Sequence, residues 1–363
     1  MSATARTYIF IVIAIIIGII IGYAIGMATY PAPVKTVTTT ITTTSPVTIT
    51  VTPTPKPLKY TIYYVSHGGP GDPWWAPVIK GAELAGKILG VKVVYLGPEK
   101  FSIKALVDLL ESAIAKKPDA IIVTITSYEA LDEPLRRAIK EGIPVFAVNV
   151  YDPRPEGERI PYLGYIGQDD YEAGKVLAEN ALRFFKEKTG RLPKRVVIGI
   201  HEVGHIGLEM RAKGIKEVCE AQGLPPVEKL DITTDITKAY EILKAYLTKH
   251  PDTEIIFTLG PLGAHPALKL VEDLGLVGKV YVATVDVDAK IIEGIRKGIM
   301  LCAISQQPFA QGFLPVVFAY LYLEYGIQVP VGNVPLHVRT GPFVITEKNI
   351  FLVEKQVEKT GGA

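Results

Sequence analysis

The sequence predicts an α/β fold: two doubly wound parallel-sheet lobes, preceded by one transmembrane helix and a Thr/Pro-rich stalk. Three observations predict it. From residue 60 onward, short apolar, β-branched runs alternate with amphipathic stretches of helical length, the pattern of a parallel sheet covered on both faces. The alternation breaks once, over the irregular segment Tyr151–Gly167, and then restarts. Ahead of it lie an uncharged apolar run from Tyr8 to Met27 and a threonine-rich segment from Pro31 to Pro57.

The apolar run holds about 20 residues, the length needed to cross a bilayer as a helix. Arg6 before it favours a cytoplasmic N-terminus and an external body. A cleaved signal peptide is the rival, but its apolar core is shorter, about 7–15 residues. No cysteine closes the run, which excludes a bacterial-type lipid anchor. Gly18, Gly22 and Gly26 share one face, which ordinary glycine tolerance in membrane helices explains without helix pairing. The threonine-rich segment has no hydrophobic periodicity and cannot bury enough surface to fold. Extended, it spans on the order of 80 Å, at about 3.1 Å per residue. The expected localisation is therefore the cell membrane, single-pass, with the globular part extracytoplasmic. Residues 1–30 form the anchor and 31–57 the linker.

The elements of the body follow in order. Tyr60–Ser66 reads as a strand, and Asp72-Pro73 as N-cap and first residue of a helix reaching Leu89. Strand Val91–Tyr95, helix Ile103–Ala115, strand Ala120–Thr126, helix Ala130–Lys140 and strand Pro144–Asn149 complete the first lobe's core. After the irregular segment come helix Tyr171–Lys188, strand Arg195–Ile200 and helix Ile206–Gln222. Strand Lys229–Ile232, helix Thr237–Lys249, strand Glu254–Thr258 and helix Gly263–Leu274 continue the pattern. Strand Val280–Val285 ends on Asp286, and Ile291, Ile292 and Ile295 mark a helix closed by Gly298. Strand Met300–Ser305 runs into Gln306-Gln307, and Pro308 opens the next helix, where its missing N–H has no partner to lose.

Composition narrows the function. The chain has 363 residues, enough for two domains with real cores, and its 39 basic and 37 acidic side chains nearly cancel, so no nucleic-acid partner is predicted. Cys219 and Cys302 sit in apolar patterns without paired spacing and read as buried thiols. There is no G-x-x-x-x-G-K-[ST] phosphate loop and no G-x-S-x-G elbow.

Polar residues collect where open α/β sheets bind ligands, at the carboxyl ends of the strands. In the first half these are Ser66, His67, Thr124, Thr126, Ser127 and Asn149. In the second they are His201, Glu202, Gly260, Asp286, Gln306 and Gln307. Two sheets aiming these ends at one another would enclose a cleft of hydrogen-bonding groups.

Four stretches carry a resemblance: GGPGDPWWAPVIKGAELAGKILGVKV, KPDAIIVTITSYEALDEPLRRAIKEGIPVFAVN, YIGQDDYEAGK and SQQPFAQGFLPV. Their order and spacing resemble the ribose-type sugar-binding receptors of ABC importers (periplasmic binding proteins of type I) from Leu58 to about Val353. The resemblance implies two lobes joined by a three-segment hinge that close over one small sugar, with an ABC permease and ATPase as partners and no catalysis, metal or cofactor. It implies lobe 1 over 58–165 plus 308–340, lobe 2 over 166–307 plus 341–358, and crossings near Leu163–Gln168, Gln306–Pro308 and Thr340–Val344. By position it brings Asp72, Trp74 and Trp75 to the cleft, where an aromatic face covers the C–H face of a sugar. Thr124 and Gly260 stand where the family often has asparagine, and Asn149 where it has aspartate. Val150 replaces the arginine that follows that aspartate. Arg211 takes the place of the family's second-lobe arginine, and Asp286 and Gln306 match directly. The expected ligand contacts are thus Ser66, His67, Asp72, Trp74, Trp75, Thr124, Thr126, Asn149, His201, Arg211, Gly260, Asp286 and Gln306.

Two other readings compete. His201-Glu202-Val203-Gly204-His205 spells H-E-x-x-H, a zinc metallopeptidase pattern, with Glu217 or Glu220 as third ligand. That chemistry needs the motif within a helix, whereas here it follows a strand and contains a helix-weakening glycine. A nucleoside- or autoinducer-type receptor on the same fold is the other. A LacI-type repressor is disfavoured, since a membrane span stands where its DNA-binding headpiece would be. His67, His201, His205 and His265 are expected in loops at the ligand edge, which makes affinity sensitive to pH between about 5 and 7.5.

Overall fold

The structure, a computed structural model, describes residues 58–327 and 336–363. The expected anchor and stalk lie outside them. Among the described residues no helix is long and apolar enough to cross a membrane.

The chain begins β1 (Thr61–Val65), α1 (Trp75–Leu89), β2 (Lys92–Leu96), α2 (Ile103–Ala115), β3 (Ala120–Val123), α3 (Tyr128–Lys140), β4 (Val145–Val148) and β5 (Gly164–Gly167). It continues α4 (Asp170–Thr189), β6 (Arg195–Ile200), α5 (Ile206–Ala221), β7 (Glu228–Asp231), α6 (Ile236–Lys249), β8 (Thr253–Thr258) and α7 (Pro261–Asp273). Then follow β9 (Tyr281–Val285), α8 (Ala289–Arg296), β10 (Met300–Ser305), α9 (Pro308–Tyr325), β11 (Leu336–Arg339), β12 (Phe343–Ile345) and α10 (Phe351–Thr360).

Among the described residues two six-stranded sheets result. Their orders are β11-β5-β4-β3-β1-β2 and β12-β10-β9-β8-β6-β7, so each lobe repeats the same doubly wound plan. All pairings are parallel except β10 with β12. The central strands are buried on both faces: Ala120–Val123, Val145–Val148 and Tyr281–Val285 show no half-exposed residue, which is why they read as unbroken apolar runs.

Three strands escape a reading by periodicity. β5, Gly-Tyr-Ile-Gly, lies inside the segment expected to be irregular and belongs to the first sheet through Gly167, two residues past the expected boundary at 165. β11 and β12 are as short and lie at sheet edges. The chain leaves the first sheet after β5, returns to it after β10 and leaves again after β11, so three strand ends converge between the lobes.

The start of α1 differs from the expectation. The helix begins at Trp75, and Asp72 acts two residues upstream of the cap. Its carboxylate accepts from Trp74 N at 3.0 Å while its carbonyl accepts from Trp75 N. The resulting turn delivers Trp74 to the interlobe side. In the second lobe α5 packs so closely on α4 that a Cβ on Gly174 would lie 2.1 Å from the Arg211 carbonyl oxygen. That contact seats the turn of α5 that carries Arg211.

Candidate functional site

A small cavity, partly open to solvent, lies between the carboxyl ends of the two sheets. From the first lobe His67, Asp72, Trp74, Trp75 and Asn149 line it. From the second come His201, Glu202, His205, Arg211, Gly260 and Asp286, with Gln306 at the crossing. Three of these loop positions hold strained backbone. Asn149 (φ 62°), Asp286 (φ 74°) and, next to the cavity, Gln307 (φ 55°) are non-glycine residues in the left-handed region, each just past a strand end.

Asp286 is the hub. It is 4 % exposed, and its Oδ1 accepts from Trp74 Nε1 at 2.7 Å and from Gln306 Nε2 at 2.6 Å. The indole bond crosses between the lobes. Burial pushes the Asp286 carboxyl up to about 6, against the pull of Arg211 and its two donors. Gln306 is held in turn by Gln311 Nε2, which donates to its carbonyl at 2.9 Å and its side-chain oxygen at 3.1 Å. Gln311 also donates to Thr340 Oγ1 at 3.1 Å and accepts from Asn149 Nδ2 at 3.1 Å. One buried glutamine on α9 therefore ties together β4, the second crossing and the third. Gln307 turns away from the cavity and donates to Thr340 O at 3.2 Å.

Arg211 is buried with a single carboxylate partner. Its Nε donates to Asp170 Oδ1 at 2.7 Å and its Nη1 to Leu259 O at 2.8 Å, which leaves further guanidinium N–H groups for the cavity. Burial opposes the Arg211 charge, but Asp170 and Asp286 more than restore it. Burial likewise holds Asp170 above the ordinary carboxyl value despite that pairing.

The histidines form a chain across the cleft. His205 caps α5, its Nδ1 accepting from Leu208 N at 3.2 Å, so its proton sits on Nε2. His205 Nε2 meets His67 Nε2 at 3.0 Å, and His67 Nδ1 meets Thr124 Oγ1 at 3.0 Å. With the proton on His205 Nε2, His67 must accept there and donate from Nδ1 to the threonine. Burial first, and the Arg211 charge second, hold His67 and His201 down at about 3. His205 is held well below its ordinary value by burial and then by His67. Glu202 is pushed the other way, up to about 8, by burial and the nearby Asp72.

The structure does not bring every expected contact to the wall. Ser66 Oγ is engaged behind it with Gly68 O and with Tyr95 OH at 2.7 Å. Thr124 orients His67 rather than lining the cavity, since its Oγ1 also accepts from His67 N at 3.0 Å. Thr126 is buried, and its carbonyl crosses the cleft to accept from Ile206 N at 3.0 Å. Trp75, 1 % exposed, touches the cavity only at the edge of the first-lobe core to which it belongs, and meets the His67 ring edge-on at 4.8 Å between centroids. His265 is not in a cleft loop: it lies on α7 and pairs with Asp288 at 2.6 Å. Glu202, His205, Gln311 and Asp170 are the site residues that the expected contacts omit.

The H-E-x-x-H reading fails on geometry. His201 and Glu202 precede α5 and His205 caps it, so the two histidines do not share a helical face. Glu217 accepts from Tyr171 on the exposed face of α5. His67, Glu202 and His205 do offer ligand atoms within 4.8 Å of one another. Yet the His205 Nδ1 lone pair is spent on Leu208 and the His67 Nε2 lone pair on His205, so neither imidazole is free for a cation as placed.

Residues 62–327 match the family model of the periplasmic binding protein domain. The chain belongs to that family. It is a family of binding proteins of type I architecture, not of enzymes, and the peptidase alternative falls with that finding. Among curated proteins, the chain is similar to the xylose/arabinose-binding protein XylF of Sulfolobus acidocaldarius, with 28% identity over 301 residues, covering 80% of this chain and 72% of that protein. Among solved structures, it is similar to a periplasmic sugar-binding protein of an ABC sugar transporter from Legionella pneumophila. That match has TM-score 0.70 and 32% identity over 78% of this chain and 100% of the other. A carbohydrate transporter protein from Acidothermus cellulolyticus, in complex with myo-inositol, superposes with TM-score 0.73 and 28% identity over 83% and 99% of the two chains.

Proposed function

We propose that the protein is an extracytoplasmic solute-binding protein that captures a small, uncharged sugar between its lobes and delivers it to an ABC permease and its ATPase. The observation that carries this reading is the Asp286 hub. A buried carboxylate, two side-chain amides and an indole are arranged around one cavity from both lobes, the equipment for holding adjacent hydroxyls. Trp74, half-buried at the wall, offers an apolar face for ring C–H groups. Three neutral imidazoles leave the cavity without the surplus positive charge that an anionic sugar would need.

The names of the relatives support the same class. One is named for xylose and arabinose, and one solved relative holds myo-inositol, both kinds of ligand being uncharged polyols. The ligand contacts we assign are His67, Asp72, Trp74, Asn149, His201, Arg211, Asp286 and Gln306, with Gly260 leaving room. Ser66, Thr124, Thr126 and Trp75 support them from behind. Lobe 1 is assigned 58–167, through the end of β5, plus 308–340, and lobe 2 168–307 plus 341–358. Tyr8–Met27 is assigned as a single-pass anchor that keeps the body at the outer membrane surface, with residues 31–57 as its stalk.

A thermal-shift panel on the full-length protein tests the reading, with monosaccharides, polyols, nucleosides and zinc as separate arms. A ligand at a hundredfold excess over Kd stabilises by about 2.7 kcal/mol. Stabilisation by a pentose, hexose or cyclic polyol is the expected result. A response confined to nucleosides or to zinc replaces the proposal with one of the alternatives.

A further inference from the structure

Nothing in the backbone requires glycine at position 260. The residue precedes α7 with φ 172° and ψ 178°, an extended geometry open to other residues. Its requirement is space. A Cβ there would lie 3.0 Å from His201 Cε1, 3.4 Å from His201 Nε2 and 3.5 Å from Asp286 Oδ2. The missing side chain leaves a slot with an imidazole edge on one flank and a carboxylate oxygen on the other.

Both flanking groups have hydrogen-bonding capacity left over. Asp286 spends only Oδ1 on Trp74 and Gln306, and Oδ2 has no partner among the described residues. His201 Nδ1 is buried and likewise finds no partner among them. A buried orphan N–H is rarer than an orphan lone pair, so the His201 proton belongs on Nε2, at the slot. One flank then donates and the other only accepts. A single hydroxyl satisfies both at once, accepting from Nε2–H and donating to Oδ2.

We propose that the Gly260 slot is a hydroxyl-reading subsite, in which His201 and Asp286 together select one hydroxyl of the ligand. The proposal rests on the sugar-binding reading and deepens it by naming a residue that sets which sugar is kept. The slot rejects a deoxy analogue, which leaves both flanks unpaired. It also rejects a fluoro analogue, which cannot donate to Asp286.

Isothermal titration calorimetry of the full-length protein tests this. The probes are the sugar that stabilises most in the thermal panel and its monodeoxy and monofluoro series. The proteins are wild type, His201→Ala, His201→Gln and Gly260→Ala. In the wild type, loss of one particular hydroxyl should cost about 10- to 100-fold in affinity, as expected for a bond to a charged acceptor. The fluoro analogue at that position should bind as weakly as the deoxy compound. In His201→Ala the same deletion should cost clearly less while the other positions keep their wild-type penalties, and His201→Gln should restore part of the discrimination. Gly260→Ala, which fills the slot, should weaken the parent sugar and erase its advantage over that one analogue. An unchanged deoxy profile in His201→Ala or in Gly260→Ala overturns the proposal, and if His201→Ala does not fold, Gly260→Ala alone decides. A wild type that binds no sugar at all refutes the functional reading instead.

Discussion

Sugar affinity should peak near pH 6.5 and fall on both sides. The perturbation is a proton on the interlobe histidines. In the closed cleft His67 is held at about 3, by burial and then by Arg211 and His201, and His205 lies well below its ordinary 6.5. Their mutual bond needs one lone pair and one N–H, so a proton on either ring destroys it. Opening the lobes returns both rings to water and to about 6.5. Both are bases with depressed values in the closed state. Their contribution to closure is therefore complete above about 6.5 and is lost as the pH falls from there towards 3.

Glu202 works in the opposite direction. Burial and Asp72 raise it to about 8 in the closed cleft, so closure takes up one proton between its ordinary 4.5 and 8 and is favoured at the lower end. Two protons released against one taken up leave a net release of one below pH 6.5 and a net uptake of one above it. Summed, affinity falls by about tenfold from pH 6.5 to 5 and by about fourfold from 6.5 to 8. The alkaline arm is an upper limit, because Glu202 is part-exposed and solvent weakens its coupling. The sum counts the two rings of the bond that crosses the cleft; His201, lowered first by burial and then by Arg211, adds to the acid loss as far as closure supplies that burial. Asp286, held up at about 6 first by burial, works in the same direction as Glu202 and offsets part of the acid loss, because closure takes up its proton too. Calorimetry from pH 4.5 to 9, in buffers of different ionisation enthalpy, counts the protons directly. The paired variant His67→Asn with His205→Asn should flatten the acid arm, and Glu202→Gln the alkaline one. A flat wild-type profile, or an acid arm that survives in the paired variant, refutes the reasoning.

Other substitutions separate binding from stability. Trp75→Ala should cost about 3–5 kcal/mol of folding stability, the usual loss for a fully buried aromatic, read from denaturant midpoints. Trp74→Ala should leave most of that stability and instead weaken sugar binding, since it removes both the wall and the indole donor to Asp286. Arg211→Leu strands Asp170 without its cation and should lower stability by about 3–5 kcal/mol, whereas the double change Arg211→Leu with Asp170→Leu should recover much of it. Gln311→Ala should loosen the crossings as well as the site, seen as faster amide exchange around Gln306 and Thr340 together with weaker binding.

The alternation of runs made the two lobes legible because central parallel strands are buried on both faces and cannot hide in a sequence. β5, β11 and β12 could hide. Each is three or four residues long, β5 begins and ends on glycine, and edge strands show little periodicity. The carboxyl-edge rule found Asp286, Gln306, Asn149 and His201 because the first polar residue after a buried strand is easy to see. It could not tell lining from support. Ser66, Thr124 and Thr126 occupy the same kind of position, yet each spends a polar group on protein: Tyr95, His67 and Ile206 respectively. Partners distant in the chain were beyond reach for the same reason. Nothing local marks His205 as the partner of His67, 138 positions away, or Gln311 as the partner of Asn149, 162 positions away. Asp169-Asp170 reads as one acidic helix start, but the first caps α4 and the second holds Arg211.

The bonds that cross the cleft explain why a small ligand can decide the position of the lobes. Trp74 to Asp286, His205 to His67 and Ile206 to Thr126 each join one lobe to the other. At about 0.5–1.5 kcal/mol net apiece they supply about 3 kcal/mol, too little to lock the cleft against the freedom lost on closing. Moving a two-state equilibrium from mostly open to mostly closed takes about 5.5 kcal/mol of differential binding. A monosaccharide of about ten heavy atoms has that much to give, since the best small ligands reach about 1.5 kcal/mol per atom. Asp286 links the two accounts: one of its oxygens is held by the opposite lobe's tryptophan and the other faces the slot beside Gly260. A ligand hydroxyl on Oδ2 keeps the carboxylate charged, and a charged carboxylate holds the Trp74 indole more strongly than a neutral acid does. Occupancy and closure are thereby coupled through a single side chain.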